Sequence, residues 1–113
     1  MPAGDPAAIE RLGQFGGPTL VQRMVAVFLD DAPRRVATLR GALARGDLTD
    51  VHAVAHSLKS SCAQLGALTM HALSVQIERS EDGHAIAEWL EQLSAEFARY
   101  RAWVATIAPR DGP

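Results

Sequence analysis

Apolar residues recur every three or four positions along almost the whole chain, and no stretch sustains an alternation of apolar and polar residues. Spacing near 3.6 builds a stripe on an α-helix and offers no two-residue period to a sheet, so the pattern predicts an all-α protein. Asp5-Pro6 reads as an N-cap followed by proline in the first turn, opening a short helix that fades at Gly16-Gly17. After Pro18 the stripe is Val21, Val25, Phe28, Ala32, Val36, Leu39 and Leu43. Pro33 interrupts it, which predicts a kink, or a split with Asp30 or Asp31 capping the second piece.

Gly46-Asp47 reads as a C-terminal glycine running into an N-cap aspartate, with Asp50 favouring the positive end of the next helix dipole. That helix carries Leu48, Val51, Ala55, Leu58, Cys62 and Leu65, in alternating steps of three and four, and ends at Gly66. A shorter helix from about Ala67 to Arg79 is expected to bury Leu68, Met70, Leu73 and Ile77. Ser80 to Gly83 turns the chain into a last helix with Ile86, Leu90, Leu93, Phe97, Tyr100, Val104 and Ile107. Short connections force sequential neighbours to run antiparallel. The fold expected is an antiparallel up-down four-helix bundle with a short additional N-terminal helix.

With 113 residues the chain suits one domain over 1–113, its core about 5–108 and a flexible tail at 109–113. The single cysteine, Cys62, excludes an internal disulfide and a Cys-rich zinc site. A formal net charge of -2 without a Lys/Arg cluster argues against nucleic acid and anionic lipid as partners. No apolar run approaches a membrane span, and the N-terminus lacks the features of a secretory signal, which predicts a cytoplasmic protein.

The segment AHSLKSSCAQLGAL, residues 55–68, has an unusual outer face. A soluble helix normally solvates that side with long charged residues, yet Lys59 is the only formal charge between Asp50 and Glu78. At about 100° per residue, His56 lies well away from the apolar stripe. Ala53, Ser57, Ser60, Ala63 and Gln64 share its arc, with His52 one turn before and Lys59 one turn after. A partner's backbone could approach such a clearing closely, since few long side chains would have to be desolvated or immobilised. Imidazole is a nucleophile near neutral pH, and a lysine one turn away could neutralise an anion delivered to it. Histidine, lysine and a small-residue clearing suit phosphoryl acceptance, where catalysis is largely positioning and charge neutralisation. His52 and His56 have metal-ligand spacing, and His71, Glu81 and His84 are further donors, but the interior stripes lack the inward carboxylates of a metal bundle.

His56-Ser57-Leu58-Lys59-Ser60-Ser61, followed by Leu65-Gly66 within AVAHSLKSSCAQLGA, resembles the signature of histidine-containing phosphotransfer (HPt) domains, written A-H-x-L-K-G with a later L-G. The upstream VFLDDAPRRVATLRGALARGDL looks like that family's kinked second helix and its turn, and the likeness covers nearly the whole chain. The resemblance implies that His56 is the phospho-acceptor and Lys59 the cation that steadies the phosphoryl group. It also implies that Glu78 orients the imidazole by accepting the Nδ1 proton, leaving Nε2 as the nucleophile. Where the family usually has glycine, this chain has Ser60, which puts the rate and the choice of partner in question.

The sequence holds no nucleotide-binding loop, so His56 must be loaded by another protein. The implied partners are response-regulator receiver domains, whose phospho-aspartate and bound Mg2+ supply most of the chemistry, so this chain itself needs no cofactor. It would be a phosphotransfer intermediate rather than an ATP-using enzyme, a monomer, and either free-standing or a module of a hybrid sensor histidine kinase. The competing reading is a helical interaction module that docks receivers without transfer.

Overall fold

The computed structural model describes residues 3–107, so the tail expected at 109–113 lies outside the described residues. The chain forms four helices there: α1 (Pro6–Ala44), α2 (Leu48–Gln64), α3 (Leu68–Arg79) and α4 (Gly83–Ile107). The short N-terminal helix is present as residues 6–16 of α1, set off from the long arm by Gly17, whose backbone leaves the helical region (φ 74, ψ -175). Its start follows from the sequence: Asp5 Oδ1 accepts from the Ala7 amide at 3.0 Å, and Pro6 occupies the first turn. Pro33 neither splits α1 nor needs a cap, for Gly17 is the one non-helical residue within it. Asp30 and Asp31 instead pair with Arg34 and Arg35 one turn on.

Asp47 caps α2 through the Asp50 amide at 3.1 Å. Asp82 does the same for α4, accepting from His84 and Ala85. Each helix packs on its sequence neighbours and α4 closes back onto α1, so the four form a ring. Cross-helix pairs give the antiparallel sense: His52 meets Ser80 while Lys59 meets His71, and Arg40 meets Glu91 while Phe28 meets Tyr100.

The core is the set of stripes read from the sequence, with Leu39, Val51, Leu58, Ile77, Ile86 and Leu93 wholly shielded from solvent. Two residues differ from expectation. Leu68 keeps 44% of its surface exposed, because it lies 140° to 200° around α3 from Met70, Leu73 and Ile77. Ser74 takes the inward place, its hydroxyl bonded to the Met70 carbonyl at 2.8 Å. Ile107 is in register with the α4 stripe, so its 39% exposure reflects its position along the axis rather than the wrong face.

The N-terminal arm is latched to the α2–α3 turn. The Asp5 amide donates to the Gly66 carbonyl at 2.8 Å, and Tyr100 reaches across the core to the neighbouring Leu65 carbonyl at 2.7 Å. Cys62 lies inside this region, and burial pushes its thiol up to about 12, which makes it unreactive at neutral pH.

Gly46 and Gly66 both have positive φ, 70° and 69°, but differ in surroundings. A methyl at Gly66 would stand 2.6 Å from the Asp5 carbonyl oxygen, whereas one at Gly46 would meet nothing within 4 Å. Gly46→Ala should therefore show only the left-handed backbone cost of about 1–2 kcal/mol. Gly66→Ala should destabilise more and release the N-terminal arm, as read by urea titration and amide exchange at Ala7 and Ala8. Equal costs for the two variants would show that the arm does not depend on this approach.

Candidate functional site

Burial of Val51, Ala55, Leu58 and Cys62 turns the opposite side of α2 outward. His56 stands there, in the middle of a 17-residue helix, with 64% of its side chain exposed. Its backbone is held on both sides by helix hydrogen bonds, so the imidazole can move only by its own side-chain torsions.

Glu78, in the last turn of α3, is brought to this residue by the packing of α3 on α2. His56 Nδ1 lies 2.6 Å from Glu78 Oε1, and Lys59 Nζ lies 2.7 Å from Glu78 Oε2. One carboxylate thus engages both polar residues of the motif. A carboxylate only accepts, so Nδ1 must be the protonated nitrogen, and in the neutral ring Nε2 keeps its lone pair. Hydrogen bonds from Lys59 and then His56 hold the Glu78 carboxyl below its ordinary value of 4.5, against an opposing contribution from partial burial. Lys59 is not a freely solvated cation: its side chain keeps 27% exposure and Glu78 only 22%.

The remaining arc is partly as expected. Ala53, Ser60, Ala63 and Gln64 are exposed. The Ser60 hydroxyl folds back toward the His56 carbonyl at 3.4 Å, along its own helix. Ser57 is half-buried at the α1 edge, where Arg35 donates to its hydroxyl while also pairing with Asp31. Arg35 is a second cation bordering this face. Its pairing with Asp31 is visible as a four-residue spacing, but no sequence signal ties it to Ser57, 22 residues away.

Two further histidines, His52 and His71, spend ring nitrogens on backbone carbonyls. His52 Nε2 donates to Ser80 at 2.7 Å and His71 Nδ1 to Lys59 at 3.2 Å, each fastening α2 to α3. Among the described residues no three His, Cys, Asp or Glu side chains gather as metal ligands would.

Chemically, the site presents an exposed imidazole with one nitrogen occupied by a carboxylate, the other free, and an ammonium within reach of the same carboxylate. That arrangement suits accepting an electrophilic group from a macromolecule able to approach a small-residue surface.

Comparison with known proteins gives a family match and a structural one. The model of the Hpt domain family matches residues 23–103. The crystal structure of histidine-containing phosphotransfer protein B (HptB) from Pseudomonas aeruginosa PAO1 is similar to this chain with a TM-score of 0.84 at 23% identity, covering 93% of this chain and 94% of that one. At that identity the likeness is one of fold. No curated protein sequence matches significantly.

The lowered carboxyl of Glu78 sets a pH dependence. Its stabilising contribution is complete above its ordinary value of 4.5 and is lost as pH falls through the lower folded value. Glu78→Gln should therefore be less stable than the parent chain at neutral pH, with the gap closing on acidification below about 4.5. Urea midpoints of both chains between pH 7 and pH 3 check this, and a gap that stays constant would remove the ionic role of Glu78.

Proposed function

This chain belongs to the Hpt domain family of histidine phosphotransfer proteins, and from that premise we propose that it is a phosphorelay intermediate in which His56 carries the phosphoryl group. The observation that carries the assignment is the grouping of an exposed His56 with Glu78 at Nδ1 and Lys59 on the same carboxylate.

In this reading a receiver domain bearing phospho-aspartate approaches across Ala53, Ser60, Ala63 and Gln64, with Ser57 at the edge. Nε2 attacks phosphorus, the bond from phosphorus to the aspartyl oxygen breaks, and the receiver's carboxylate leaves. The Nδ1 proton stays in place, so the phosphorylated ring gains positive charge next to the Glu78 carboxylate, which stabilises it. Lys59 offers its ammonium to the phosphoryl oxygens, which bring up to about two negative charges. The reverse sequence passes the group to a second receiver. In this reading magnesium belongs to the receiver, and transfer needs no cofactor on this chain.

The same site serves a free-standing protein or a module of a hybrid sensor histidine kinase. Each helix buries its stripe within this chain, which favours a monomer. No helix among the described residues is long and apolar enough to cross a membrane, which is compatible with the cytoplasmic setting such partners require.

Incubation with a radiolabelled, phosphorylated receiver tests the reading. Wild type should acquire acid-labile, alkali-stable label, and His56→Gln should fold normally yet acquire none. Label on His56→Gln would overturn the assignment. Lys59→Ala should slow transfer by about tenfold, the worth of one hydrogen bond to a charged group. Ser60→Gly should exchange faster, or with more receivers, at a helix cost of roughly 0.5–1 kcal/mol; slower exchange would mean that the hydroxyl makes a useful contact.

A further inference from the structure

The position of Glu78 raises a question of support. It sits in the last turn of α3, a helix of only 12 residues, where the final carbonyls have no partner within the helix. The turn is weakly closed by its own backbone. Ser80, the C-cap, has extended geometry (φ -95, ψ 143), and its amide reaches the Ile77 carbonyl at 3.4 Å. Ile77 is fully buried and anchors one side of the turn. The polar side, where Glu78 faces α2, needs another restraint, because a short helix end left to itself frays.

His52 supplies it. It lies one turn before His56 on α2 and is half-buried. Its Nε2 is 2.7 Å from the Ser80 carbonyl oxygen, and since a carbonyl only accepts, Nε2 must carry a proton. The bond satisfies an orphan carbonyl of α3 and ties Ser80, two residues after Glu78, to the helix that bears His56. His71, bonded to the Lys59 carbonyl at 3.2 Å, fastens α3 to α2 beyond the site, so Glu78 is bracketed by two ties between the helices.

We propose that His52 is a positioning residue for phosphotransfer: its bond to the Ser80 carbonyl holds the α3 terminus so that Glu78 meets Nδ1 of His56. This rests on the phosphotransfer reading above. His52 touches neither the reacting nitrogen nor the phosphoryl group in this assignment, and it acts only through Glu78. His52 and His56 have metal-ligand spacing in the sequence, which the interior stripes do not support, and the structure directs His52 to a carbonyl.

The test combines His52→Ala, His52→Gln, Glu78→Ala and the double variant His52→Ala with Glu78→Ala. Transfer rates from a phosphorylated receiver are measured beside helicity and urea midpoints, and the His56 Nδ1 proton is followed by NMR. His52→Ala should remain helical, slow transfer about three- to tenfold, as contacting residues typically couple, and weaken or lose the hydrogen-bonded Nδ1 proton signal. His52→Gln, whose amide nitrogen can reach the same carbonyl, should recover most of both. In the Glu78→Ala background the His52 substitution should have no further effect on rate. A wild-type rate and an unchanged proton signal in His52→Ala would overturn the proposal, as would an equal slowing with and without Glu78, or failure of His52→Gln to recover. If wild type took no phosphoryl group at all, the phosphotransfer reading would fall, and the NMR comparison would still decide whether His52 places Glu78.

Discussion

Val51, Ala55, Leu58 and Cys62 have no exposed surface, and a helix that buries that stripe has one rotational setting open to it. Everything on the outer side of α2 follows from that setting. His56 projects to solvent because the core occupies the opposite side, and Ala53, Ser60 and Ala63 surround it because they fall on the same arc. Rotating α2 enough to shelter His56 would bring the apolar stripe into water, at about 25 cal/mol for each Å² exposed. The nucleophile is therefore displayed by hydrophobic burial, without any contact designed to push it outward.

Burial places His56 but does not tune it. Tuning comes from α3, through a carboxylate that accepts from the imidazole and from Lys59 together. The two donors make Glu78 easier to ionise, and the ionised carboxylate in turn selects the tautomer of the ring. Lys59 is held close by the same charge, so an incoming phosphoryl group meets an ammonium already in place rather than one recruited from solvent, with less side-chain entropy to lose. Partial burial of Lys59 and Glu78 makes their pairing worth more than the same pair would be on an open surface.

Periodicity made most of the architecture legible. The stripes of α1, α2 and α4 and the caps at Asp5 and Asp47 follow from spacing and local hydrogen bonding, both properties of nearby residues. A leucine at the start of a helix, as Leu68 is, looks like the first residue of its stripe until its angle to Met70 and Ile77 is counted. Pro33 allowed several outcomes because a missing amide can be absorbed on an exposed helix side without breaking the helix. The angle of Ser57 on α2 puts it on the open face, but that angle contains no information about how far the Arg35 side chain on α1 reaches.

The site divides in the same way. His56 and Lys59 lie three residues apart on one helix, so their proximity is written into the chain, and the motif around them carries the family resemblance. Glu78 lies 22 residues from His56, and no helical period connects them. Its distance to the ring depends on how α3 is set against α2 by Ile77 and the Ser80 tie, and hence on packing between elements. The sequence by itself determined the helices, their buried faces and the exposed histidine with its lysine, because these depend on neighbours within a turn or two. Periodicity does not place Glu78 at Nδ1, which only the family resemblance implies; the tertiary structure brings that contact about, because it joins residues that meet only after the helices pack.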